Sequence, residues 1–102
     1  MKPLEDEFHN EMIDIYKIAA MECQYRAKAF LSMVVELGGL TAAKRLLGTS
    51  EIQSGLYELF ECGRLDLTVE ALVAESKYRD LFEPNELAEA ERRLTLLRTK
   101  GK

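Results

Sequence analysis

The stretch that decides the reading of this chain is ECGRLDLTVEALV, residues 61 to 73. An arginine, an aspartate and a threonine stand among aliphatics just after Gly63, so this is either a ligand site or a corner between two helices. The corner accounts for each polar residue. Gly63 stops one helix, because glycine tolerates the left-handed conformation at a C′ position. Thr68 fits as the N-cap of the next, its hydroxyl accepting from the N–H of Glu70 or Ala71. Leu67 and Leu72 then take the N′ and N4 positions of a hydrophobic staple, and Glu70 puts a negative charge in the first turn, where the helix dipole favours it. Arg64 has Asp66, or the last carbonyls of the preceding helix, within reach. Val69, Leu72 and Val73 face inward.

Upstream, helical periodicity runs almost unbroken. Phe8, Met12, Ile15 and Ala19 line one face of a first helix, opposite Glu7, Asn10, Glu11, Asp14 and Lys17. A second helix, from about Tyr25 to Leu37, carries apolar residues over roughly 200° of its surface, which marks it as the central helix. One straight helix from Phe8 to Leu37 would be about 45 Å long, too long for a domain of this size, so a kink or break is expected near Cys23. Gly38 and Gly39 end the second helix, and a short third one covers Thr41 to Leu47, with Gly48 as its stop. Ser50 and Gln53 form a capping-box pattern for a fourth, which turns Ile52, Leu56, Leu59 and Phe60 inward.

Downstream, Tyr78, Leu81 and Phe82 make a short helical turn. In LFEPNEL, Pro84 suits the first helical position, Glu86 sits at N3, and Phe82 staples Leu87. The last helix carries a narrow seam of Leu87, Ala90, Leu94 and Leu97. No alternating strand pattern occurs. The expected fold is all-α: one domain over residues 1–102, a compact bundle of about five to six helices with no sheet, frayed at 1–6 and 99–102.

Composition bounds the function. The 102 residues are 47% hydrophobic and 31% charged, the balance of a folded chain rather than a disordered one. The net charge of −4 argues against nonspecific binding to nucleic acid or anionic membrane, where affinity comes largely from neutralised phosphates. No apolar run approaches the ~20 residues of a membrane span. MKPLEDEF is acidic and lacks an apolar core, so a cytoplasmic protein is expected. Cys23 and Cys62, in helical patterns and without CxxC spacing, read as buried reduced thiols. Acidic residues crowd the start, and Arg92, Arg93, Arg98, Lys100 and Lys102 the end, which reads as two solvated termini of opposite sign that attract each other.

The chain resembles a family of short uncharacterised bacterial helical proteins. The pattern is AKAFLSMVVELGG, AAKRLL, SGLYELFECGRLDLTVEALV and YRDLF, with GRLDLTVEAL its longest block. The resemblance implies a small helical domain and carries over no catalytic or binding residue. TAAKRLLGTSEIQSGLYEL, in residues 41–61, also looks like a helix-turn-helix DNA reader. Its recognition helix offers Gln53, Ser54, Tyr57, Glu58 and Glu61, poor in the Arg and Lys that meet phosphate and guanine, and Lys44 stands where such motifs place a small residue.

Catalytic chemistry finds little support. His9 is the only histidine and reads as a surface residue; with Glu5 it gives two metal ligands at most, and two make no site. The pairs Glu58 and Glu61, and Glu86 and Glu89, read as solubilising charge, and Met12, Met21 and Met33 as core. No catalytic, metal or cofactor-binding residue is assigned and no enzyme is expected. The reading is an interaction or adaptor module that docks on a protein partner or on itself. A homodimer through the first and last helices is favoured over a monomer, with Ile18 and Leu96 as stray aliphatics at the contact. The alternative is a helix-turn-helix-like DNA-binding regulator using residues 41–61, for which Lys44, Arg45 and Arg64 are the candidate binding residues.

Overall fold

Phe8 and Met12, one turn apart near the start of the chain, are fully buried, and the other elements are arranged around them. A computed structural model describes residues 3–48 and 54–100. Among these there are helices and no strand. Helix α1 spans Pro3–Glu22, α2 Lys28–Leu37, α3 Gly39–Leu47, α4 Ser54–Glu61, α5 Val69–Val73 and α6 Pro84–Lys100. Single 3-10 turns cover Leu65–Leu67 and Ser76–Leu81. The all-α bundle is as the sequence predicts. The Ser50–Gln53 capping box and Ile52 lie outside the described residues. Residues 3–6 and 99–100, where fraying is expected, are helical, since α1 starts at Pro3 with Leu4 packed on the core and α6 continues to Lys100.

The expected break follows α1 closely. The N–H groups of Cys23 and Tyr25 both donate to the carbonyl of Ala19, and Gln24 takes a left-handed φ of 54° between them. The chain then re-enters helix at Lys28, later than the sequence suggested, with no side-chain cap. Helix α2 is not central. Only Val34 on it is buried, while Val35 and Leu37 are exposed. Its broad apolar arc exceeds what α1 and α3 can cover.

The Gly38–Gly39 pair splits two jobs. Gly38 ends α2 with φ +87°, a left-handed value that glycine adopts without strain. Gly39 brings α3 against α1, because a Cβ there would stand 2.6 Å from the Cα of His9. The Gly39 N–H donates to His9 Nδ1 at 2.8 Å, satisfying an orphan donor of the first turn of α3. His9 is therefore half-buried and structural, not the free surface residue the sequence suggested.

The opening stretch turns its corner as argued. The Arg64 N–H reaches the Leu59 carbonyl and the Gly63 N–H that of Phe60, with φ +80° at Gly63, which is a Schellman closure of α4. Thr68 Oγ1 accepts from the Ala71 N–H at 3.1 Å and donates to the Leu65 carbonyl at 2.8 Å. The Leu67–Leu72 staple is not made, for Leu72 joins the main core and Leu67 a satellite cluster with Ala19 and Leu59. Ile18, expected as a stray aliphatic on a polar stripe, packs against that satellite. At α6 the Glu86 carboxylate accepts from the Glu83 N–H at 2.8 Å, and Phe82 and Leu87 share the main core.

Candidate functional site

The first concentration of polar chemistry is buried. Arg93 is fully enclosed in the core, although its run of basic neighbours suggested a solvated tail. Its Nη1 donates to Glu70 Oε2 at 3.0 Å and to the Leu46 carbonyl at 3.2 Å, and its Nη2 to the Leu47 carbonyl at 3.4 Å. Its Nε donates to Glu89 Oε2 at 2.6 Å. One guanidinium thus closes the C-terminal end of α3, pairs with the first turn of α5 and holds its own helix. A planar fork with five donors suits this convergence, and an ammonium does not. Glu89 also accepts from Arg92, and this bond, with that of Arg93, holds its carboxyl down to about 2. Glu86 and Glu89 are therefore cap and ion-pair partners, not solubilising charge.

A second polar group sits where α1 meets the Ser76–Leu81 turn. Tyr78 is fully buried, with Phe8 edge-on at 5.1 Å between ring centroids, and its hydroxyl donates to Glu11. Burial, and then the Glu11 carboxylate, push the phenol well above its ordinary range, so it stays protonated as a donor. Burial also raises Glu75, helped by the Glu11 charge. Lys77 pairs with Glu7 across the same contact. Glu7 and Glu11 of the acidic start are therefore met by this turn. A neutral phenol with its proton on a carboxylate holds two elements together and offers no nucleophile.

The candidate cations do not converge. Lys44 donates to Glu86 at 2.7 Å and lies 5.2 Å over the Phe82 ring, at the start of α6. Arg64 forms a forked pair with Asp66, both bonds 3.1 Å, and also pairs with Glu22 at the end of α1. These two sets of partners share no residue. Arg45 is exposed, beside Lys44 in the chain. Among the described residues no group of three His, Cys, Asp or Glu side chains is placed to hold a metal ion. No described helix is long and apolar enough to cross a membrane.

What remains is an apolar cleft of about 210 Å³. Its walls are Ile15, Tyr16 and Ala19 of α1, Ala29, Phe30 and Met33 of α2, and Leu56 and Leu59 of α4; Leu67 and Val69 stand behind them. Thr68 and Glu70 are its buried polar residues, and Glu70 Oε2 is already engaged by Arg93. The cleft lies where α2 sits at the edge of the bundle, with Val34 buried in the core and Phe30 and Met33 only partly buried against it, facing α4. Further apolar surface is exposed elsewhere at Met21, Val35 and Leu96. Met21 is thus not core, contrary to expectation, whereas Met12 is fully buried.

The cysteines join the ends of two helices that wall this cleft, α1 and α4. Cys23 and Cys62 form a disulfide with their Cα atoms 5.9 Å apart, which corrects the expectation of buried reduced thiols. Cys62 is exposed and Cys23 half-buried. Helical patterns hid the pairing, since each cysteine lies just past the end of its helix, where two ends meet. A disulfide is rare in the cytoplasm, so the cysteines lend no support to the expected cytoplasmic location. No family model, curated protein or solved structure matches this chain, so the resemblance carried by GRLDLTVEAL rests on the sequence alone.

Proposed function

We propose that this protein is a non-catalytic interaction module whose cleft between α1, α2 and α4 receives apolar side chains of a protein partner. The observation that carries the reading is the cleft itself, an opening lined by aliphatic and aromatic side chains from three helices. A concave, mostly apolar surface with few polar groups is the common form of a binding site, and amphipathic helices dock into such grooves through apolar anchors. The surplus apolar arc of α2 supports the same reading, because a helix that leaves Val35 and Leu37 exposed has more apolar surface than its own fold uses. The polar clusters add no competing chemistry: Arg93, Tyr78 and their partners are spent on joining elements. The DNA-binding alternative is weaker, since Lys44 and Arg64 are each paired within the chain.

Ala29 offers a clean test, being exposed and yet part of the cleft lining. Ala29→Glu places a charge in the cleft without touching the core. Tagged protein retains its partner from native lysate when Thr95, exposed on α6, is changed to Glu, and loses it with Ala29→Glu. Loss with Thr95→Glu and retention with Ala29→Glu would refute the cleft and move the contact to the α6 surface around Leu96, the site of the expected homodimer.

A further inference from the structure

The bridge and the cleft are built from the same helix ends. Ala19, four residues before Cys23, Tyr25, two after it, and Leu59, three before Cys62, all line the cleft. The walls supplied by α1 and α4 are thus joined by a covalent link at one end. Among the described residues α4 packs most closely on the Leu65–Leu67 turn that follows it in the chain, and that turn itself packs on α1 and α5. Among the described residues, the ties of α4 to distant sequence include the bridge, the Arg64–Glu22 ion pair beside it, and the burial of Leu56 and Leu59. That ion pair is half-exposed, and such pairs contribute little.

We propose that Cys23–Cys62 is a thiol-exchange site that holds α4 in place as a wall of the cleft, so that reduction by a dithiol releases α4 and dissolves the cleft; the second half rests on the docking reading above. The chemistry follows from exposure. Exchange proceeds by attack of a thiolate on one sulfur of the bridge, and Cys62 is the more exposed of the two. The incoming thiolate forms a mixed disulfide with Cys62 and expels Cys23 as a thiolate. The second thiol of the reductant, as thiolate, then attacks its own sulfur in the mixed disulfide and releases Cys62. The dithiol ends as a cyclic disulfide, having given two electrons to the bridge, and the two cysteine thiolates take protons from water. Where the surrounding thiol pool is reducing, a bridge of this kind acts as a switch and not as a staple.

The test uses the full chain oxidised, the same chain reduced with dithiothreitol, and the Cys23→Ser/Cys62→Ser variant. Amide exchange over residues 56–62 is followed with α6 as internal reference, together with fluorescence of N-phenyl-1-naphthylamine, whose cleft-bound part is the part lost in Ala29→Glu. Reduction is expected to speed exchange in α4 by roughly tenfold or more while α6 stays protected, as release of a single cooperative unit requires. Cleft-bound fluorescence is lost in parallel, reoxidation restores both, and the double variant behaves as the reduced chain throughout. Unchanged α4 exchange on reduction overturns the proposal, and so does equal acceleration in α6, which makes the bridge a staple of the whole fold. A probe insensitive to Ala29→Glu beside a redox-responsive α4 would instead refute the docking reading and leave the exchange site standing.

Discussion

Replacing Arg93 with Met tests the assembly of the fold at its most connected point. The substitution keeps an unbranched chain of similar reach and removes the guanidinium. Glu70, with a side chain only 6% exposed, is then left charged without the guanidinium, and the Leu46 and Leu47 carbonyls lose the bonds from Arg93. Removing one member of a buried ion pair costs about 3–5 kcal/mol, mostly the penalty of the charge left behind. Glu89 adds little, since it is partly exposed and keeps Arg92. The whole domain is stabilised by only about 5–15 kcal/mol, so the loss is a large fraction of the total. Arg93→Lys keeps the charge but cannot serve acceptors on three elements, and should fall between Met and wild type. The double variant Arg93→Met/Glu70→Met should recover much of the loss, because an apolar replacement of a buried pair is often neutral or better. Urea unfolding followed by far-UV circular dichroism measures all four proteins. If Arg93→Met lies within about 0.5 kcal/mol of wild type, as surface substitutions do, the buried guanidinium is wrong.

Thr68→Ala should lose about 0.5–2 kcal/mol in the same assay and Thr68→Ser much less, since serine keeps the oxygen that accepts from Ala71. Equal behaviour of the two would dismiss the cap. Gly39→Ala should cost more than Gly38→Ala: the first drives a methyl group into the His9 backbone, about 1–3 kcal/mol of overpacking, with chain shifts that add to it, while the second meets open space and bears only the left-handed penalty of roughly 1–2 kcal/mol. The reverse order would mean that α1 and α3 do not approach so closely. Glu89, with its folded carboxyl depressed to about 2, contributes stability that is complete above its unfolded value of about 4.3 and drains away as pH falls toward 2. Glu89→Gln should therefore flatten the acid limb of stability between those values and bring wild type and variant together near pH 2, and an unchanged acid limb would remove Glu89 from the ion-pair network.

The parts of this fold legible in the sequence are those decided within a few residues. Thr68 and its acceptor bond to Ala71, the Glu86 cap, the glycine closure at Gly63 and the break after α1 all depend on neighbours in the chain. The parts that are not legible there are decided by partners far away. Arg93 lies on the α6 face that also carries Glu86, Ala90 and Leu97, so periodicity points it toward the core; its charge argues for solvent, and its distant partners, 23 to 47 residues earlier, leave no periodic trace. His9 reads as a surface residue for the same reason, its partner Gly39 being 30 residues on. The Cys23–Cys62 pairing spans 39 residues. The cleft was partly legible. The excess apolar arc of α2 is visible in AKAFLSMVVEL, but it read as the sign of a central helix, because an apolar arc records what a helix offers and not how much its neighbours can cover. A polar residue on an otherwise apolar seam, as at Arg93, is the signal worth weighing in such sequences.

The claim that the cleft is a docking surface is tested most directly by contact in the cells that make the protein. A photo-reactive phenylalanine analogue placed at Ala29 reports what enters the cleft, and one at Thr95 on the outer face of α6 reports chance encounters and any contact around Leu96. A discrete protein adduct from position 29, absent from position 95 and lost when Met33→Lys charges the cleft wall, is the result predicted here; an adduct of twice the chain's mass identifies the partner as a second copy. No adduct from position 29, or the same adducts from both positions, would contradict it.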